Sequence, residues 1–417
     1  MKIKDGVNLQ VIHTKKFKDI GISIRFQNTL EKKKASARSL LALMICDRCQ
    51  KYDTKQKMSM KQDDLYGMTL YAQSVGYGKS QVVELRSKCL HPVYLKQQDD
   101  YLHEVFSFLH EVLFNPLLVA EVFEESKKIL LAKLQRLQDD PAQYVISEGL
   151  KEVGKNGTLE ISSLGSKEDV EALTLDDVKQ AYHELIQNDV IHIMICGDIQ
   201  EAEVTSYIQK FLNFTPRTDT YESHYVIQNQ VEQHYIESLR NITQSYLMMV
   251  WFTNTSVLDD TYYALRVANA MLGQYSTSLL FQEIREKRSL CYSISSSLIS
   301  YDGVLAVTTG IQKEHIEETV SLIKEQVKRL QEGEFDDELM EVSKTMIINS
   351  LKTSRDSMYS LMALAYQNIL LQRDWSVDDM ISQVQKVSKQ QVMQIMRQCD
   401  EQLTYVLTHK EANHEEN

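Results

Sequence analysis

A strand, a charged turn and an apolar helix follow one another near the start of the chain, in the stretches IGISIRF (residues 20–26), NTLEKKK (28–34) and ASARSLLALMICDR (35–48). The same order returns after the midpoint, with SYLMMVWF (245–252), TNTSVLDD (253–260) and TYYALRVANAML (261–272). A repeat at a spacing of roughly 200 residues indicates two similar domains, because a solenoid would repeat every 20–50 residues. The recurrence therefore predicts a duplicated α+β fold.

The remainder of each half follows one plan. Two β-rich segments come first, at residues 68–75 and 81–90 in one half and at 291–300 and 304–312 in the other, where Asp302-Gly303 is a good hairpin turn. Long amphipathic helices follow, and a short helix with a final strand closes each half. We predict two homologous domains, each an antiparallel-rich sheet with helices on one face. Their predicted bounds are 1–212 and 234–417, with a polar linker at 213–233.

Composition excludes several classes of protein. The 417 residues carry a net charge of −12, which disfavours nucleic acid and anionic membranes as partners. The N-terminal residues lack an apolar signal region, and no run approaches the length of a membrane span. Six dispersed cysteines are typical of reduced, mostly buried thiols. These features predict a cytoplasmic protein that binds neither nucleic acid nor membrane.

Motifs for nucleotide and serine-hydrolase chemistry are also missing. The sequence has no GxxxxGK[ST] phosphate loop, no GxGxxG after a strand and no GxSxG elbow. The inverted zinc motif HxxEH is absent as well.

Four stretches together resemble the insulinase/pitrilysin-like peptidases, the family of inverted zincins. The resemblance covers nearly the whole chain, and its most specific part is REKRSLCYS, which is similar to the family pattern RExRGLAYS. The four stretches are Ser39–Tyr52 with Thr54 and DLYG at 64–67, Asn115–Pro141, residues 164–198 in part, and Arg285–Ser293. The resemblance implies two domains that close as a clamshell. One narrower likeness rests on the overall pattern, including the stretch from Ser39 to Leu70, and is to zinc-less members associated with aminopentanol modification of elongation factor P.

The zinc site of the family is degenerate in this chain. With Tyr52 aligned, the two zinc-binding histidines fall at Ser39 and Leu43, and the general base falls at Ala42. The third ligand falls near Glu124, which is retained. A catalytic zinc needs three strong protein ligands and an open water position. We therefore predict no metal in this chain and expect zinc in an HxxEH-bearing partner.

The second-domain motif is retained. Arg285 and Tyr292 are seven residues apart, as in the family pair that holds the substrate carbonyl and stabilises the oxyanion. Ser289 stands where the family has glycine, which is a mild departure. The resemblance implies that Arg285 and Tyr292 act on a substrate held with a partner subunit. Alternatively, Arg285 pairs with a neighbouring acid and Tyr292 packs within a strand.

These features predict a zinc-less subunit of a heteromeric zinc peptidase or peptide-processing complex, not active alone. Its partner would be a homologous HxxEH-bearing subunit, and homodimerisation of the isolated chain is left open. A peptide or protein substrate would bind extended along an edge strand at Met68, Leu70 and Ala72. One alternative is an inactive binding or scaffold protein. Another is an active enzyme with a non-standard metal site built from Glu124 with a histidine or with Cys46 and Cys49.

Overall fold

The structure is a computed structural model that describes residues 1–96, 100–218, 220–227 and 234–409. Within them the β-strands are β1 (Lys2–Lys4), β2 (Val7–His13), β3 (Asp19–Thr29), β4 (Thr69–Tyr77), β5 (Ser80–Leu90), β6 (Val190–Gly197), β7 (His234–Arg240), β8 (Ser245–Phe252), β9 (Cys291–Ile299), β10 (Val304–Ile311) and β11 (Asp400–His409). The α-helices are α1 (Lys32–Ile45), α2 (Lys55–Asp64), α3 (Tyr101–Phe114), α4 (Ala120–Asp139), α5 (Pro141–Val153), α6 (Lys167–Ala172), α7 (Leu175–Gln187), α8 (Glu201–Phe211), α9 (Tyr262–Asn269), α10 (Ile316–Glu332), α11 (Asp337–Ser354), α12 (Met358–Leu370), α13 (Val377–Lys386) and α14 (Lys389–Arg397).

The two sheets share the topology of five strands, and the first has β1 as a sixth strand at its edge. The first has the strand order β1-β2-β6-β3-β5-β4, and the second has the order β7-β11-β8-β10-β9. In each sheet one pair is parallel, β2 with β6 and β7 with β11, and the neighbouring pairs are antiparallel. The predicted α+β fold with two homologous, antiparallel-rich sheets is confirmed.

The main core of the first sheet lies against α1. Alternate residues of β3, from Ile20 to Phe26, are almost fully buried and pack in one cluster with Leu40 and Leu41 of α1. Because side chains alternate across a strand, the intervening residues of β3 point to the opposite face. That second face is polar, with Ser23, Arg25 and Gln27.

Helix α12 packs on this polar face. The Arg25 guanidinium carbon lies 4.2 Å from the centroid of the Tyr366 ring. Arg25 also pairs with Glu84 of β5, with 2.7 Å between Nη2 and Oε1. Burial alone would raise the pKa of Glu84, but hydrogen bonds from Arg86 and Ser23 and the charges of Arg25 and Arg86 outweigh it and lower that pKa to about 2. The sequence analysis predicts helices on one face of each sheet, and the structure adds α12 on the other face of this one.

Helix α5 has the equivalent place on the second sheet. Val145 of α5 is buried in a cluster with Met248 and Val250 of β8 and Leu403 of β11. Gly149 provides the close approach, since a Cβ there would lie 2.6 Å from the sulfur of Met248.

The chain forms two compact units that exchange these segments. Unit 1 contains Met1–Gln135, Ile161–Ser223 and Ser354–Asp374, and unit 2 contains Arg136–Glu160, His224–Thr353 and Trp375–Asn417. The predicted domains 1–212 and 234–417 are each a continuous stretch of the chain, unlike the two compact units. They describe the duplicated sequence and stay a prediction. Residues 219 and 228–233 of the predicted linker lie outside the described residues, and its described part forms neither helix nor strand.

Candidate functional site

The retained motif lies where a π-helical turn leads into an edge strand. Arg285 belongs to the turn Phe281–Glu286, and Tyr292 is the second residue of β9, which ends the second sheet. Ser289 between them has a φ of +54°, in the left-handed region that favours glycine. This backbone geometry explains why the family pattern has glycine at that position. Ser289 keeps the geometry at some cost in conformational energy.

Tyr292 projects into solvent. Its exposed fraction is 84%, although large aromatic side chains usually bury most of their surface. The alternative in which Tyr292 packs within a strand is therefore wrong. Tyr292 has its ring 5.6 Å from the guanidinium carbon of Arg285, so the two predicted site residues are brought together.

Arg285 makes contacts mainly with rings. Its guanidinium carbon lies 4.5 Å from the centroid of the Phe281 ring, and its nearest acidic contact is from Nε to Oε1 of Glu286 at 3.9 Å. That distance is too long for a hydrogen bond. The alternative, in which Arg285 pairs with a neighbouring acid, therefore amounts to a weak, partly exposed ion pair with Glu286. The sequence analysis missed Phe281, which contacts Arg285. Its position four residues before Arg285 could have indicated this contact, because residues four apart on a helix are neighbours.

The positions to which the resemblance assigns two zinc ligands and the general base lie on α1 and are packed. Ser39 is 4% exposed and Ala42 is 1% exposed, while Leu43 packs partly buried against the core. The Ser39 hydroxyl donates a hydrogen bond to the carbonyl oxygen of Ser163 at 2.7 Å. The side chain at the former histidine position is therefore used within the fold.

The Ser163 carbonyl joins three elements. Besides Ser39 of α1, it accepts hydrogen bonds from the Ser74 hydroxyl of β4 at 3.0 Å and from Nε2 of Gln81 in β5 at 2.8 Å. Gly165 sits so close to α1 that a Cβ there would overlap Ser36. Residues 161–166, here called the Ser163 loop, thus pack against α1 and are hydrogen-bonded to α1, β4 and β5. The sequence analysis noted Leu164-Gly165 only as part of the family pattern and missed this role.

The retained Glu124 is exposed on α4. Its neighbours Glu121 and Glu125 are bound by Arg48, at 3.1 Å and 2.6 Å. Lys55 also contacts Glu125, at 2.7 Å. The acidic groups beside Glu124 are therefore neutralised by protein cations.

Residues for a replacement metal site are not assembled. Among the described residues, no group of three histidine, cysteine, aspartate or glutamate side chains has the geometry to hold a metal ion. Burial raises the pKa of the Cys46 and Cys49 thiols, which disfavours the thiolate form that binds metals. The hypothesis of a site from Glu124 with these cysteines or a histidine gains no support.

The predicted peptide-binding residues lie at the other sheet edge. Strand β4 ends the first sheet, as the prediction requires. Met68 precedes β4 and is 2% exposed within the core, whereas Leu70 and Ala72 are partly buried against it. Contacts of Met68 with a ligand would therefore involve its backbone, and the role of all three residues stays a prediction.

Comparison with known proteins shows a similarity to one peptidase family. Residues 172–347, which include Arg285 and Tyr292, match the family model described as "Peptidase M16 inactive domain". This part of the chain is thus similar to a peptidase M16 inactive domain. The predicted resemblance to the insulinase-like peptidases is thereby confirmed.

Relatives of this M16 homologue match along nearly its whole length. It is 26% identical over 407 residues to the "Probable inactive metalloprotease YmfF" of Bacillus subtilis, with 96% of each chain covered. The structure of a conserved protein from Enterococcus faecalis superposes with a TM-score of 0.92 at 25% identity, over 99% of each chain. A peptidase M16 inactive domain from Pseudomonas fluorescens gives 0.81 at 16% identity, over 98% of this chain and 97% of that one. The chain is thus a homologue of inactive M16-family peptidases.

Two further predictions concern a membrane span and the narrower family resemblance. No helix among the described residues of this M16 homologue is both long and apolar enough to cross a membrane. The names of the three proteins compared above do not refer to elongation factor P, so the narrower resemblance stays a prediction.

Proposed function

We propose that this M16 homologue is the zinc-less subunit of a heteromeric zinc peptidase or peptide-processing complex. A homologous HxxEH-bearing subunit supplies the zinc and the general base. This chain supplies Arg285 and Tyr292, which contact the carbonyl of a bound peptide and the oxyanion that forms from it. Closure of the two domains as a clamshell around the peptide is part of the proposal.

The observation that carries the proposal is the exposure of Tyr292 beside Arg285. A phenol that is 84% exposed contributes little to the stability of β9, yet it stands next to a guanidinium at the start of an edge strand. A phenol hydroxyl and a guanidinium are hydrogen-bond donors suited to a carbonyl that gains negative charge. The packed positions Ser39 and Ala42 support the assignment of zinc to another chain.

The edge strand β4 supports the binding part of the proposal. Its nine residues, TLYAQSVGY, carry no charge, whereas the opposite edge β1 has the sequence KIK. Lysines at an edge discourage pairing with another strand, so the uncharged edge is the one suited to an added peptide strand.

Cleavage by mixed subunits tests this function. HxxEH-bearing homologues from the same genome are mixed one at a time with this chain, and cleavage of a quenched fluorescent peptide library is followed. Activity is expected only from one mixture, with a loss of about 100-fold in kcat for Arg285→Ala or Tyr292→Phe, as for removal of an oxyanion donor. Arg288→Ala in the same turn is the matched control and should retain activity.

The scaffold alternative makes the opposite prediction. If the chain only holds a partner in place, Tyr292→Phe and Arg285→Ala will leave kcat of the mixture unchanged while the complex still forms. That result, with binding verified by analytical ultracentrifugation, would rule out the proposed contribution to chemistry.

A further inference from the structure

The guanidinium of Arg285 is held by aromatic rings and has unused hydrogen-bond donors. Phe281 and Tyr292 lie 4.5 and 5.6 Å from its central carbon, within the range of cation–π attraction. Among the described residues, no acceptor lies within hydrogen-bonding distance of its nitrogens, and Glu286 is 3.9 Å away. The side chain is 35% exposed, so solvent still reaches these donors.

Other charges of the same turn are paired with one another. Glu283 contacts Lys287 at 2.7 Å and Arg288 at 3.7 Å. Arg288 has a second partner in Glu318 at 3.6 Å. The nearby acids are thus shared by Lys287 and Arg288, and Arg285 retains its donors for a ligand.

We propose that Arg285 binds a carboxylate of the peptide ligand and that Phe281 is the positioning residue that holds it in place. The inference rests on the proposed function, because it requires that the chain binds a peptide. Contacts through the rings leave the N–H edge of a guanidinium open. That edge matches a planar carboxylate with two parallel hydrogen bonds. Because cleavage turns the peptide carbonyl into a carboxylate, the edge that contacts the carbonyl in the proposed function also fits the C-terminus of the product.

The net charge limits which carboxylate is expected. A chain of charge −12 repels a run of acidic residues over distances up to the Debye length, about 8 Å at physiological salt. A single carboxylate can bind Arg285 without the electrostatic repulsion that a run of acidic residues would experience. The free C-terminus of a peptide is therefore favoured, and an isolated Asp or Glu side chain is the other source of the same chemistry.

Peptide binding to the full-length chain separates these cases. The probes are peptides of about eight residues rich in Val and Thr, a length suited to one strand, without charged side chains and labelled at the N-terminus with an uncharged coumarin dye. One has a free C-terminus, one is amidated, and two amidated versions carry a single internal Glu or Gln. We expect the free acid to bind roughly tenfold more tightly than the amide, with a smaller gain for Glu over Gln. The reverse order would make the side-chain carboxylate the ligand.

Variants locate the effect. Arg285→Lys keeps the charge but loses the pair of parallel N–H donors of the guanidinium. The preference for the free acid should therefore fall to about twofold or less. Arg288→Lys is the control and should keep the full preference. Phe281→Leu should reduce the preference as well, and Phe281→Tyr should restore it, while the melting temperature of both stays near that of the parent chain.

A spectroscopic signal checks the positioning role without any ligand. The Arg285 Hε proton should be shifted upfield in NMR spectra by the ring of Phe281, and Phe281→Leu should remove that shift. Equal affinity for acid and amide, with binding otherwise intact, would overturn the carboxylate inference alone. Absence of binding by every peptide would overturn the proposed peptide-binding function together with it.

Discussion

At the scale of single residues, Ser289 shows how the fold tolerates a departure from the family pattern. Its φ of +54° costs an L-residue roughly 1–2 kcal/mol, and glycine offsets this with roughly 0.5–1 kcal/mol of extra chain entropy. We expect Ser289→Gly to raise the free energy of unfolding by about 0.5 kcal/mol in urea titrations. Ser297→Gly, at an exposed position in the middle of β9, should instead lower it. Equal effects of the two changes would contradict the strain argument.

Ser39, which the family resemblance aligns with a zinc-binding histidine, makes a second residue-scale prediction. Ser39→Ala removes one of three hydrogen bonds to the Ser163 carbonyl and should cost about 1 kcal/mol of stability. Ser39→His places a larger ring in a site that is 4% exposed, so overpacking should cost roughly 1–3 kcal/mol. Thermal unfolding with and without zinc measures both. Stabilisation of Ser39→His by zinc would show that the Ser163 loop leaves room for a metal.

Buried His192 predicts how stability depends on pH. Burial and the charge of Arg25 lower its pKa from 6.5 to about 4. The unfolded chain therefore takes up this proton first, and stability falls as the pH drops from 6.5 towards 4, by up to roughly 3 kcal/mol. Urea titrations at about pH 7 and about pH 5 should show a smaller difference for His192→Gln than for the parent chain. If the change in the free energy of unfolding between these two pH values is the same in His192→Gln, other groups cause the loss of stability in acid.

Glu84 also makes the protein less stable as the pH falls, but at a lower pH than His192 does. Its folded-state pKa of about 2 lies below the reference value of 4.5. Its contribution is complete above the reference value and is lost as the pH falls through about 2. Glu84→Gln should therefore destabilise the chain at neutral pH and flatten the acid limb of its stability curve.

At the scale of elements, the two π-helical turns limit what a periodic sequence can reveal. The run at 261–272 predicts one continuous helix, but α9 ends at Asn269 and Ala270–Gln274 forms a π-helical turn. π-helical turns are rare and mostly single turns within helices, and this one continues an apolar run without a Pro before it, so no sequence signal marks its start. Short, nearly continuous apolar runs were predictable as buried strands, and Ser245–Phe252 has the predicted bounds.

Helix α12 was not predictable for a different reason. Its partner face on the first sheet carries Arg25 and Glu84, which in a sequence are typical of a solvent-facing strand surface. Their burial depends on ion pairs and on the Tyr366 ring, which come from distant parts of the chain. The packing of Ser39 on the Ser163 loop is hidden for the same reason, because Ser163 is far away in sequence.

The edge strand β4 leads to a prediction about peptide backbones. In an added strand, N–H groups point alternately towards and away from the sheet edge. A series of ligands N-methylated at successive positions should therefore lose affinity at every second position. A loss that follows side-chain identity, with no period of two, would argue against strand addition at β4.

At the scale of the whole molecule, the chain should be stable without metal. Among the described residues no metal-binding group is assembled, and packing supplies the two cores. We expect zinc well below one equivalent per chain after purification without chelator, and no change of melting temperature on adding EDTA. One equivalent of zinc that disappears in Glu124→Ala would revive the non-standard metal site, with Glu121→Ala as the control.

The exchange of α5 and α12 sets the order in which the protein can mature on the ribosome. Unit 1 includes Ser354–Asp374, so its polar sheet face stays uncovered until most of the chain has been translated and has left the exit tunnel. The N-terminal half is thus a nascent chain that must wait for a late segment. A stalled or truncated message would yield a product in which Arg25 and Glu84 lose the cover that Tyr366 of α12 provides.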